Sequence, residues 1–274
     1  MVIINDDTGD REIPREVRTA ESFNLIIQYH QPKFWTPSNS TFSPFLTVNG
    51  IANNPTLAIR QLKWMRLRML SVGVSFGGLI TSQIILAERV ACTFTLIAKD
   101  GVYLGTPRPL QEPYTMVWTE SSRSDLMVRC DGPVGSTVQF LFNNMPMMRL
   151  RIDERNEDER PDAFNIHYET CLPRYLKDTF ADVVTPPRVS VGPILSYSGD
   201  ARENALAVFT VGQTIEMLLA GSGHPFHTHI NHYQIQEDDA SGWYRRGDWH
   251  DTVENAIVRM RLDRWTKSML VHCQ

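Results

Sequence analysis

The stretch His224-Pro225-Phe226-His227-Thr228-His229 decides how this chain is read. His227 and His229 are two residues apart, in a segment of β character that continues as Ile230-Asn231-His232-Tyr233-Gln234-Ile235. Alternate residues of a strand point to the same face, so both imidazoles can reach one metal or two adjacent metals. Pro225 fixes its own φ and has no N–H to offer a ladder, which suits the entry to a strand. It leaves His224 able to point towards a separate site.

Of the eight histidines, five lie between positions 224 and 250: His224, His227, His229, His232 and His250. A sixth, His272, adjoins Cys273. Neighbouring strand residues point to opposite faces, so His272 and Cys273 would serve two different metals a few covalent bonds apart. One Cys with two His is the ligand set of blue copper, and thiolate softness favours that metal. Zinc would suit the histidines but gives no reason for the His-Cys adjacency. His232 falls out of step with His227 and His229 and is expected to face away from them, on the surface. His250 is expected in a loop.

Outward from this cluster the texture is β. Short apolar or alternating runs recur at 23–29, 93–98, 137–142, 206–211, 215–219 and 256–262. Turn pairs such as Asn49-Gly50, Asp100-Gly101 and Ser241-Gly242 punctuate them. Many short strands between turns argue for sandwiches or barrels. The one stretch suited to a short helix is 173–182. At roughly 100–200 residues per domain, the 274 residues suggest two domains. The run RIDERNEDERPD at 151–162 is almost wholly charged and reads as an exposed linker. The expected division is 1–150, a connecting segment 151–187, and 188–274.

The net charge of −4 gives no basic footprint for nucleic acid. No apolar stretch is long enough to span a bilayer, and residues 5–22 lack the apolar core of a secretory signal. Four cysteines at wide spacing do not make a disulfide framework, though one pair among Cys92, Cys130 and Cys171 is open. Met145, Met147 and Met148 form a small cluster; thioethers suit Cu(I), but such residues more often fill a core.

The motifs together resemble the multicopper oxidases, laccase-like members above all. HPFHTHINHYQI resembles the HPxHxH copper strand of that family, and MLVHCQ resembles the start of its His-Cys-His strand. LTVNGIANNPTLAIRQLKWMRLRML, FTLIAKDGVYL and SSRSDLMVRCDGPVGS resemble segments of the family's middle domain. GDWHDTV resembles the Asp-Thr-Val element after the copper strand.

The resemblance implies an all-β chain of two cupredoxin-like Greek-key β-sandwich domains. The first is like the family's middle domain and the second is its copper-binding domain. It implies that His224 and Cys273 bind a type 1 copper, His227 a type 2 copper, and His229 and His272 a type 3 pair. His272 and Cys273 would then be the catalytic pair, joining the two centres. The implied reaction is one-electron oxidation of a phenol, aromatic amine or metal ion, coupled to reduction of dioxygen to water. The family works mostly in secreted or periplasmic settings.

Three departures stand against a complete enzyme. The family's N-terminal domain, which supplies the other HxH pairs of the cluster, is missing, and nothing in residues 1–100 replaces them. Position 274 is Gln where the family has a third cluster histidine, and the second type 1 histidine does not follow within the chain. The expectation is therefore a portion of an oxidase, completed by a missing N-terminal domain or another subunit and inactive as this isolated chain. A copper-free cupredoxin scaffold that binds another protein is the competing reading. A simple metal-binding module is a third.

Overall fold

The computed structural model describes residues 15–30, 43–73, 80–154, 187–191, 210–220, 225–229, 231–261 and 271–273. Among them the regular structure is almost entirely strand, with one five-residue helix, α1 (Arg15–Thr19). The described strands fall into two compact units.

The first unit holds twelve strands. They are β1 (Glu21–His30), β2 (Phe45–Val48), β3 (Ile51–Ala52), β4 (Thr56–Arg60), β5 (Met65–Gly73) and β6 (Ile80–Leu86). There follow β7 (Ala91–Lys99), β8 (Val102–Pro109), β9 (Thr115–Trp118), β10 (Arg123–Asp131), β11 (Thr137–Phe142) and β12 (Met145–Glu154). One sheet has the order β3-β2-β1-β5-β10-β7-β8 and the other β4-β12-β11-β6-β9. Pairing is antiparallel except for β1 with β5 and β4 with β12.

Period-two burial builds this sandwich from the sequence. Met65, Leu67 and Met69 of β5 are buried while Arg66 and Arg68 alternate with them. Val138, Phe140 and Phe142 of β11 do the same. Phe94 of one sheet meets Phe140 of the other edge-on, at 6.2 Å between ring centroids. Positive φ at Asn49 and Gly50, and again at Asp100 and Gly101, makes the tight reversals that their residue types favour. Asn143-Asn144 makes a third between β11 and β12.

Met147 and Met148 are buried core residues. On the outer face of the larger sheet, α1 lays Val17 against Ile97 and Met127. Beside it, Asp125 accepts from Arg66 Nε at 2.9 Å, with Arg68 Nε at 3.5 Å. Burial disfavours the Arg66 charge, but Asp125 and, after it, Tyr103 outweigh it and raise its pKa. Cys92 and Cys130 are register partners on β7 and β10 and form a disulfide, which selects one pair from the three cysteines left open.

The charged run at 151–162 begins inside the sheet. Arg151 to Glu154 close β12, with Ile152 fully buried, because alternation carries one apolar residue inward through a charged stretch. The expected helix at 173–182 and most of the expected strand at 206–211 lie outside the described residues; Thr210 and Val211 precede a turn.

The second unit holds β13 (Arg188–Val191), β14 (Thr214–Leu219), β15 (Phe226–Thr228), β16 (Tyr233–Ile235), β17 (Trp249–His250), β18 (Thr252–Val253), β19 (Ala256–Arg261) and β20 (Val271–Cys273). One sheet runs β13-β14-β19-β16-β17, the other β18-β15-β20. Between them lies a core of Ile215, Met217, Phe226, Tyr233, Val253 and Val258, among others. The short three-stranded sheet carries His227 and His272.

Candidate metal centre

The strand β15 is only three residues long, and its side chains divide cleanly. Phe226 and Thr228 are buried, whereas His227 is partly exposed. Pro225 leads into it, as its missing N–H suggests. His229 follows at a bend and is exposed. A tight local fold shapes that bend: Thr228 Oγ1 donates to the Asn231 carbonyl at 2.8 Å, and Asn231 N donates to the His229 carbonyl at 3.0 Å. The His227 and His229 rings meet edge to face, 4.9 Å between centroids.

On either side of β15 run β18 and β20, both antiparallel to it. His227 is the register partner of His272, and Phe226 of Cys273. Register partners of an antiparallel pair lie on one face of the sheet. His272 thus takes a position on the His227 face, and Cys273 a position on the Phe226 face. Of the five residues expected as ligands, His227 and His229 are brought together by their rings. His272 and Cys273 are placed by backbone register. His224 lies outside the described residues.

Asp251 and Thr252 surround the inner nitrogen of His227. His227 Nδ1 lies 3.0 Å from the Asp251 carbonyl oxygen and 3.0 Å from Thr252 Oγ1. That carbonyl also accepts from Thr228 N at 3.0 Å. A carbonyl oxygen only accepts, so Nδ1 carries the ring hydrogen and Nε2 the lone pair. A metal-binding histidine commonly donates its second ring N–H to a carbonyl or carboxylate in this way. Nothing in the local pattern of GDWHDTV marks Asp251 and Thr252 as partners of His227, from which they lie 24 and 25 residues away.

Two other histidines depart from expectation. His232 is not turned out to the surface: its Nε2 lies 3.9 Å from Asp251 Oδ2, while His227 Nδ1 lies 3.7 Å from Oδ1 of the same carboxylate. Alternation fails there because His232 sits in the link between β15 and β16 rather than in a continuing strand. His250 is not a loop residue. It lies on β17, buried to 3% exposure, with its ring 5.0 Å from that of Tyr244. The intervening loop is folded by its own aspartates. Asp239 Oδ1 accepts from Tyr244 N at 3.0 Å, and Asp238 Oδ1 from Arg246 N at 2.7 Å.

The fold defined by these sheets is that of the multicopper oxidases, built of cupredoxin-like β-sandwiches. A variant of the McoA multicopper oxidase from the hyperthermophile Aquifex aeolicus superposes with TM-score 0.70 at 16% identity, covering 98% of this chain and 66% of that one. A multi-copper oxidase from Pediococcus acidilactici gives 0.65 at 18% identity, covering 93% and 56%. The laccase-like CueO of an Ochrobactrum species gives 0.65 at 18%, covering 93% and 63%. The chain thus spans less than two thirds of the length of each of these relatives. No protein-family model matches the sequence, and no curated protein does.

Proposed function

We propose that this chain is a copper-binding portion of a laccase-like multicopper oxidase. The observation that carries the reading is the His227 ring: its Nδ1 is held by the Asp251 carbonyl and its Nε2 carries the lone pair, with the His229 ring beside it and His272 in register across the strand pair. Imidazole nitrogens of this kind suit copper, and a neighbouring thiolate favours it further. His227, His229 and His272 would hold the cluster coppers, and His224 with Cys273 the type 1 copper.

When bound, copper would supply one-electron oxidation of a phenol, aromatic amine or metal ion and reduction of dioxygen to water. The chain's own residues bind and orient. The Asp251 carbonyl fixes the His227 ring, the Thr228–Asn231 turn sets where His229 leaves the strand, and His272 and Cys273 join the two sets of ligands through one peptide bond. The CueO relative is described as having oxidase activity towards lignin model compounds, which favours a phenolic reductant. Five ligands complete neither site, so the 274-residue chain alone is expected not to oxidise phenols.

The test is metal analysis after loading with Cu(II). Bound copper that falls on His227→Ala and His229→Ala supports the reading; no uptake, or uptake indifferent to both, overturns it. A blue charge-transfer band in the loaded 274-residue chain would overturn the inactivity. In the whole protein, phenol oxidation should disappear with Cys273→Ser.

A further inference from the structure

Thr252 is fully buried on β18, where valine would match its shape and suit a strand equally well. A hydroxyl there must be hydrogen-bonded or it costs stability. It stands between two groups of opposite need. Thr252 Oγ1 lies 2.9 Å from Asp251 Oδ1, and an ionised carboxylate only accepts. The hydroxyl hydrogen therefore goes to Asp251. On its other side Oγ1 lies 3.0 Å from His227 Nδ1. Nδ1 also faces the Asp251 carbonyl oxygen at 3.0 Å.

One assignment of hydrogens satisfies all three contacts. His227 Nδ1–H is shared between the carbonyl oxygen and Oγ1, while the hydroxyl donates to the carboxylate. The opposite tautomer sets a nitrogen lone pair against a carbonyl lone pair at 3.0 Å. It also draws the hydroxyl hydrogen away from Asp251.

We propose that Thr252 is a positioning residue whose hydroxyl, a second acceptor beside the Asp251 carbonyl, holds the His227 Nδ1–H and its ring in one plane, so that Nε2 is presented to a metal. This rests on the copper reading given above. Sharing Nδ1–H between the carbonyl oxygen and Oγ1 restricts rotation of the ring more than the carbonyl does without Oγ1. Partners of this kind typically alter metal affinity by roughly 10–100-fold when removed.

The experiment uses the full 274-residue chain and its variants Thr252→Val, Thr252→Ser and Thr252→Ala. Carbon-13 relaxation of the His227 ring in the metal-free protein reads how firmly the ring is held, and competition with a chelator of known affinity reads Cu(II) binding. Wild type and Thr252→Ser should show the same held ring and equal affinity. Thr252→Val should keep the Nδ1–H that the Asp251 carbonyl demands, but show a more mobile ring and copper bound at least tenfold more weakly, with circular dichroism unchanged. Thr252→Ala leaves space rather than a clash and takes the place of the valine variant should that fail to fold. A ring held as firmly as in wild type in the valine or alanine variant, or copper affinity within twofold of wild type, overturns the proposal. If wild type takes up no copper, the copper reading fails separately, and the ring-mobility comparison still decides what Thr252 does.

Discussion

The Tyr233 hydroxyl donates a 3.0 Å hydrogen bond to the carbonyl oxygen of Phe226. Both residues are buried in the core of the second unit, and the bond ties β16 in one sheet to the metal-site strand β15 in the other. Tyr233→Phe keeps the packing and removes this bond. The cost is about 1 kcal/mol, the usual net worth of one such bond. Urea unfolding should show a lower midpoint with unchanged slope.

Glu216 sits on β14 between two arginines, Arg188 and Arg259, each its register partner on a neighbouring strand. Arg188 Nε donates to Oε1 at 2.6 Å and Arg259 Nε to Oε2 at 2.9 Å. Burial pushes the carboxyl pKa up, but the two arginines outweigh it and hold it below the ordinary value. A carboxyl depressed in the folded state adds stability above its unfolded pKa, about 4.3. That contribution is lost as pH falls through the lower folded value. Thermal unfolding followed from pH 7 down to pH 3 should show this loss, and Glu216→Gln should flatten it. Arg259→Ala leaves the buried carboxylate with the more exposed Arg188 alone. The expected cost is about 3 kcal/mol, at the low end for breaking a buried pair.

In the first unit, Asp125 accepts from Arg66 and lies beside Arg68. Asp125→Ala strands a guanidinium that is largely buried, beside Tyr103. Destabilisation of about 3 kcal/mol follows from the same reasoning. Denaturant unfolding of wild type and variant gives the difference directly.

The Cys92–Cys130 disulfide spans 38 residues. Closing a loop of that length is worth about 2–4 kcal/mol, since the crosslink restricts the unfolded chain. Replacing both residues with alanine should lower the unfolding midpoint accordingly. Intact mass before and after reduction should differ by the two hydrogens of one bridge. Such a bridge persists in an oxidising compartment, so expression in a reducing cytosol should yield the less stable form.

Much of the fold was legible in the residues. Strands β7, β11, β14 and β19 lie where their apolar runs placed them, and the Asn49-Gly50 and Asp100-Gly101 turns sit between strands. These features depend on local chemistry: alternation, β-branching and positive φ act over two to eight residues. The HPFHTH segment was legible for a similar reason, because three histidines within six positions carry their meaning in their spacing. His232 departs from expectation because alternation does not continue past the end of β15, and His250 because its strand, β17, is only two residues long and carries no periodic pattern. Only pairing across the sheets shows where such strands begin and end.

The sequence by itself determined the class of fold and marked the histidines of the HPFHTH segment, since period-two burial and ligand spacing are properties of short segments. Only the tertiary structure decided what surrounds them. It chose Cys130 as the partner of Cys92, set Glu216 between arginines that lie 28 and 43 residues from it, and brought Asp251 and Thr252 to His227 across 24 and 25 residues. Those contacts are made by strand register and by the packing of β15 between β18 and β20. No local pattern encodes them, because the energy that fixes register comes from burying Phe226, Tyr233 and Val253 together.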